Sequence, residues 1–184
     1  MTRTGLSSVV MGIVLLVGGA SGFAADSKKA AEIDRDGRAK LKTLVASEAG
    51  AKAVSKKAVA VLVFPSITKA GLMIGGQYGD GVLIKGGKTV GYYNTTGASY
   101  GMQAGAQTYG YAMFFMNEAA LRQLDATEGF EVGAGPSVVV ADEGFGKTTS
   151  SINYDKDIYA FIFSQKGLMA GLGLQGNKIT RIKP

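Results

Sequence analysis

Histidine, cysteine and tryptophan are absent from the 184 residues, and proline occurs three times. Each absence removes a class of chemistry. Without histidine the chain lacks the commonest general base, metal ligand and physiological pH switch. Without cysteine there is no thiolate nucleophile, no thiolate-ligated zinc and no disulfide framework. Charge is also thin: 18% of residues are charged against 46% hydrophobic, which excludes a disordered polyelectrolyte. Carboxylate or lysine chemistry stays possible for catalysis, but the expectation is a binding or structural protein, with no cofactor and no metal.

Glycine is what the chain has in excess, 28 residues without a collagen period. The glycines punctuate β-like segments. Ala58 to Phe64 is an unbroken apolar run that Pro65 ends, and a run of that length between turn signals reads as a buried strand. Glycine-spaced segments follow at Lys69–Gly76, Gly79–Ile84 and Gly97–Gly105. Glycine inside a strand marks a bend, a bulge or a close backbone approach. Gly86-Gly87, between Ile84-Lys85 and Lys88-Thr89, is a two-residue hairpin signal, and Gly176-Asn177 is another. Residues 98–116 read as two strands, and further strands are expected near 130–141, 145–153, 158–164 and 168–175, then at 178–182. Asn117 caps a short helix, Glu118 to Leu124, that Gly129 closes. The expected fold is α+β: a curved antiparallel, barrel-like sheet with N-terminal helices and one inserted helix near 117–126. Closure or near closure is the simplest way for so many short strands to leave no edges.

The first 24 residues read as a secretory signal. Arg3 is the basic start, Val9 to Val17 the apolar core, and Gly22 and Ala24 are the small residues before a cut at Ala25. That core is too short to span a bilayer. The expectation is therefore an exported protein, periplasmic or secreted, whose mature part, residues 25–184, is a single domain.

From Asp26 to Glu48 the chain reads as a helix capped by Ser27, and Ala30, Ile33, Gly37, Leu41 and Leu44 form an apolar stripe. Lys28, Arg35 and Lys42, seven apart, line one flank with Arg38 beside them. A second short helix spans Ala49 to Lys57, set off by Gly50 and ending in Lys56-Lys57, where cations suit the helix dipole. Two readings stand. The helix is a solvated element laid on the core, or its basic flank meets anionic lipid head groups. On the second reading the contact residues are Lys28, Arg35, Arg38, Lys42, Lys56, Lys57 and Lys69.

Other patterns are better explained by structure than by chemistry. Gly97-Ala98-Ser99-Tyr100-Gly101 spells a nucleophile elbow, but no histidine exists to serve Ser99 and no helix signal follows. Gly144-Phe145-Gly146-Lys147-Thr148 echoes a phosphate loop, with Ala141 where glycine is required and Asp142-Glu143 inside it. Asp155-Lys156-Asp157 reads as a charged turn and not as a calcium loop. Tyr92, Tyr93, Tyr100, Tyr109 and Tyr111 alternate with small residues, as packed tyrosines do. No basic cluster interleaves with them, so nucleic acid is not an expected partner.

Phe64-Pro65, Lys69-Ala70-Gly71, Gly75-Gly76, Gly79-Asp80-Gly81, the Gly97-x-Ser99-x-Gly101-x-Gln103-x-Gly105 series and Ser164-Gln165-Lys166-Gly167-Leu168 together resemble the SYLF domain family. The family is also described as an actin-patch, lipid-binding domain. The likeness runs from about residue 30 to the end. It implies a non-enzymatic phospholipid-binding module whose basic N-terminal amphipathic segment meets the membrane, here through Lys28, Arg35, Arg38 and Lys42. An exported bacterial protein meets neither phosphoinositides nor actin in its own compartment. The expectation carried forward is an anionic phospholipid membrane as partner, peripheral on an envelope membrane. A protein partner or self-association is the alternative, and actin remains only as a host-directed partner.

Overall fold

The apolar run before Pro65 becomes the central strand of the molecule because both of its faces are covered. A computed structural model describes residues 20–72, 74–100, 105–125, 129–141, 154–167 and 176–184. Within it, helices α1 (Ala20–Ser47) and α2 (Ala49–Ser55) precede strands β1 (Ala60–Leu72), β2 (Ile74–Lys85), β3 (Lys88–Tyr100) and β4 (Gly105–Phe115). Helix α3 (Glu118–Gln123) follows, then β5 (Phe130–Glu131), β6 (Val138–Ala141), β7 (Ile158–Gly167) and β8 (Lys178–Ile182).

The strands form one curled half-barrel in the order β5-β8-β3-β2-β1-β4-β7-β6. The α+β, barrel-like expectation holds, with two differences. Among the described residues the sheet is open, with β5 and β6 at its edges, and β6 pairs parallel to β7 while the other pairs are antiparallel. The stretch expected as one strand near 130–141 is divided between those two edges. Gly133 and Gly135 in the connection have left-handed backbones, and a chain bent there cannot continue one ladder. The expected strands at 145–153 and 168–175 and the loop at 144–148 lie outside the described residues.

Pro65 does not end the first strand. The ladders to β2 and β4 both skip Pro65 and Ser66 and resume beyond them, at Thr68 and Ile67 respectively. Proline has no N–H to donate, so a central strand accommodates it only at such a bulge. The β2–β3 hairpin turns through Gly86 and Gly87, both with positive φ (56° and 78°), as the sequence predicts.

Side-chain alternation along β1 builds two cores. Leu62, Phe64 and Ile67 point to the concave face, where they meet Tyr109, Tyr111, Met113, Phe115 and α3. Val63 points the other way, joining Val82, Phe114, Tyr159 and Phe161 beneath the two N-terminal helices. A strand buried on both faces has no polar positions, and that is the physical content of the run from 58 to 64.

Helix α1 lies so close to the sheet that Gly37 is required. A Cβ there would run into the side chain of Val82. Ser27 falls within α1, which starts earlier than expected, and the break to α2 is at extended Glu48 (φ −110°, ψ 113°) instead of at Gly50. Gly50 is buried inside α2. Asn117 caps α3 as expected, its side-chain oxygen accepting from the Ala120 N–H at 2.8 Å.

Candidate functional site

The apolar stripe of α1 faces inward. Ile33 and Leu44 are 8% and 3% exposed and pack in the outer core, with Leu41 half-buried beside them. A stripe used this way is not displayed to a bilayer. What α1 and α2 present outward is charge, and its distribution is uneven. Between residues 38 and 57 there are six cations, Arg38, Lys40, Lys42, Lys52, Lys56 and Lys57, against one acid, Glu48. Between residues 26 and 36 acids outnumber bases, four to three.

The seven cations expected at the membrane contact therefore divide. Lys28 is exposed on the mixed-charge half of α1. Arg35 is exposed there too, with its Nε 2.9 Å from Asp36. Arg38 is a structural clasp: Nε donates to both oxygens of Asp34, at 2.9 and 3.0 Å, while the other two nitrogens donate to the Gly87 carbonyl and to Thr89. Lys42 and Lys56 are exposed, and Lys57 sits 3.7 Å from the ring centroid of Tyr154. Lys69 is elsewhere. Its register partners are Gln77 and Gln107, and it follows Ile67 on the concave side, so the sheet separates it from the helices.

Two ion-paired clusters strap α1 to the sheet. Burial would raise the Asp34 carboxyl, but hydrogen bonds from Thr89 and Arg38 and the Arg38 charge outweigh it and hold the group below its ordinary range. Nearer the N-terminus Lys29 pairs with Asp80 at 3.0 Å. There too burial opposes ionisation, and hydrogen bonds from Asn94, Lys29 and Tyr78 leave the Asp80 carboxyl lowered.

Where α1, α2 and the β2–β3 hairpin meet, an open groove of about 540 Å³ is left. Leu41, Val45, Ala46 and Ile84 give it apolar walls, with Arg38, Lys42 and Lys52 around them and no acidic side chain in its lining. No salt bridge among the described residues involves Lys42 or Lys52. The sequence reading missed Lys52, Val45 and Ile84. Val45, four residues after Leu41, carried a helical-spacing signal; that Lys52 and Ile84 would join it depends on the α1–α2 turn and the hairpin.

The concave face carries polar groups as well, and they bond to one another. Tyr109 donates to Gln77 at 2.6 Å, Gln77 donates to Asn177, Tyr111 donates to Thr95 at 3.1 Å and Tyr93 donates to Asp125 at 2.7 Å. Burial pushes the Tyr109 hydroxyl up to about 12 and raises Tyr93 and Tyr111 further. These three tyrosines are core residues, as expected from their spacing. Ser99 lies within β3 opposite Gly75, which is not the strand-to-helix turn of a nucleophile elbow, and its hydroxyl lies outside the described side chains. Asp157 serves as a turn anchor, accepting from Ser137 and Asn117, and those bonds lower its carboxyl. Among the described residues no group of three or more potential metal ligands occurs, and no helix is long and apolar enough to cross a membrane.

Residues 96–183 match the Ysc84 family model, described as Las17-binding protein actin regulator. No curated protein matches the chain. The matched stretch runs from the end of β3 through β4 to β8, and β1 and β2 lie between β3 and β4 in the same sheet. That match, over just under half of the chain, agrees with the resemblance of the glycine motifs to the SYLF-domain family.

Proposed function

We propose that this protein is an exported, non-catalytic module that docks on anionic phospholipid membranes through the end of the molecule formed by α2 and the C-terminal half of α1. One observation carries the reading: six cations against one acid in residues 38–57, on two adjoining helices and the two residues that follow the second. Each lysine or arginine near an anionic surface contributes about 1 kcal/mol, screened by salt. Arg38 is neutralised by Asp34, so docking rests on the lysines. Burial of Ile33 and Leu44 argues for adsorption by charge in place of insertion of the helix stripe.

Export is supported by the basic start, short apolar core and small-residue exit of residues 1–24. N-terminal sequencing of the protein recovered outside the cytoplasm should begin at Ala25. Docking is tested by co-sedimentation with vesicles of rising phosphatidylglycerol content. Sedimentation should rise with the anionic fraction and fall with salt. Salt-insensitive sedimentation, equal on purely zwitterionic vesicles, would sink the proposal.

The same buried stripe favours a second reading, an envelope component whose partner is a protein or a second copy. The family description, an actin regulator that binds Las17, also concerns a protein partner. In that case vesicles would not retain the protein at any salt concentration, and size measurements or cross-linking would reveal the complex.

A further inference from the structure

At one end of the concave face, beyond the aromatic layer, a single cross-strand row is polar. Gln77 in β2 and Gln107 in β4 are the register partners of Lys69 in β1, one on each side. Gly97 in β3 stands opposite Gln77. Asn177, next to the paired Thr96 and Lys178, reaches over Gly97 and accepts from the Gln77 amide. A Cβ on Gly97 would run into both of those side chains. The three amides are buried, Gln77 at 8%, Gln107 at 4% and Asn177 at 2% exposure, while Lys69 is half-buried.

The hydrogen bonding within this row is incomplete. Gln77 is satisfied, since it donates to Asn177 and accepts from Tyr109. Asn177 Nδ2 and Gln107 Oε1 are buried without a partner. Folded proteins leave few such atoms, and here an orphaned donor and an orphaned acceptor share one row. Lys69 adds an ammonium that no salt bridge among the described residues engages. Two residues further along the same face, Gly71, Gly75 and Gly105 are in register and bear no side chains. Bare backbone therefore borders the row, and glycine in a strand permits a ligand to approach it closely. Gly105 is exposed, so the row is reached from that end of the half-barrel.

These groups set three demands on a ligand. It must bring an anion to Lys69, an acceptor to Asn177 and a donor to Gln107, and a hydroxyl can fill either of the last two roles. Neighbouring strands lie about 4.8 Å apart, so the two steps from Gln77 to Gln107 span about 10 Å, the scale of one sugar ring. We propose that this end of the concave face binds a hexuronic acid. Its carboxylate meets Lys69, its hydroxyls meet Asn177 and Gln107, and its ring lies along the glycine backbone. The site is on the side of the sheet away from α1 and α2, so it stands or falls independently of membrane docking.

The test titrates the whole protein with sodium glucuronate, followed by calorimetry and backbone amide shifts, with glucose and sodium acetate as controls. Saturation at one glucuronate per chain is expected, with the largest shifts at Lys69, Gly71, Gln77, Gln107 and Asn177. Neither control should saturate over the same concentrations. Lys69→Met keeps the aliphatic stem and drops the charge, and it should weaken binding by about tenfold or more. Gln107→Leu removes the orphaned acceptor at similar size. It should also weaken binding, with a melting temperature equal to or above wild type, because nothing within the protein bonds that atom.

Absence of saturation by glucuronate would mean that solvent alone serves the amides, and the proposal fails. Acetate binding as tightly as glucuronate would reduce the site to one charge, and glucose binding as tightly would remove the charge from it. Either result overturns the assignment to an acidic sugar. So does wild-type affinity in Lys69→Met, or a Gln107→Leu variant that melts lower yet binds glucuronate as before.

Discussion

The two faces of the sheet are sealed by different means. On the concave side large aromatics interlock and the tyrosine hydroxyls donate to polar side chains of neighbouring elements: Phe64 lies 4.8 Å from Tyr111 between ring centroids, Tyr109 donates to Gln77 and Tyr111 to Thr95. On the outer side two helices supply the cover, clasped by Asp34–Arg38–Thr89 and Lys29–Asp80. The first arrangement is continuous with the fold. The second is an added layer held by Ile33, Leu44, Ala51 and Val54 in the outer core and by a few charges, and it carries the lysines. A face that must meet other molecules is assembled from pieces that can be altered without dismantling the sheet.

Truncation inside the concave core gives the largest expected effect. Phe64 is fully buried at the centre of β1, and Phe64→Ala should destabilise the protein by about 3–5 kcal/mol in chemical denaturation. A change under 1 kcal/mol would mean that the inner core is not what holds the sheet together.

Next is Gly37→Ala, where two principles oppose. In a free helix the substitution should stabilise by about 1 kcal/mol. Here the new methyl would meet Val82, which is itself buried, and overpacking of that kind costs about 1–3 kcal/mol. Net destabilisation is expected, with amide exchange in α1 rising before exchange in β1. If the variant is more stable than wild type, the contact between α1 and the sheet is looser than described.

How much of this could be read from the sequence depends on the distance over which each feature is decided. The Gly86-Gly87 hairpin, the Asn117 cap and the doubly buried run of β1 are local, and they stand where expected. The bulge at Pro65 was not legible, because whether proline ends a strand or interrupts it depends on partners on both sides. The same limit governed the site. Lys28, Arg35 and Lys42 share one helical flank, yet only Lys42 borders the groove, because the placement of the hairpin is a tertiary fact, whereas the pairing of Arg35 with its neighbour Asp36 is local. Lys69 showed the largest displacement from expectation: a one-residue alternation in β1 decides which side of the sheet it serves.

The two faces should also fail at opposite ends of the pH scale. Asp34 and Asp80 have folded-state values below the ordinary 3.8. The stability they lend is complete above that value and is lost as pH falls through the lower folded values. Tyr109 is displaced the other way, from 10.0 up to about 12, so its share is complete below 10.0 and is lost as pH rises through that interval. Acid should therefore loosen α1 first, read as increased proteolysis or exchange between residues 26 and 47. Alkali should attack the concave core and unfold the sheet as a unit. Loss of α1 protection at alkaline pH with the sheet intact would contradict the assignment of these groups to the two faces.

The smallest effects decide where the membrane contact lies, because they compare single lysines. Reversing one lysine near an anionic surface removes about 1 kcal/mol of attraction and adds a comparable repulsion, so Lys42→Glu and Lys52→Glu should each weaken vesicle binding by roughly thirtyfold. Lys28→Glu lies on the same helix but among Glu32, Asp34 and Asp36, where the local field is already mixed, and it should do less. Lys69→Glu changes the net charge by the same amount on the opposite side of the sheet. If only net charge mattered, all four variants would lose affinity equally. If the α1–α2 end is the contact, Lys69→Glu should sediment with vesicles close to wild type at physiological salt, where fields decay over about 8 Å. A Lys69 variant that loses as much as the Lys42 variant would move the contact from the helices to the concave end of the half-barrel.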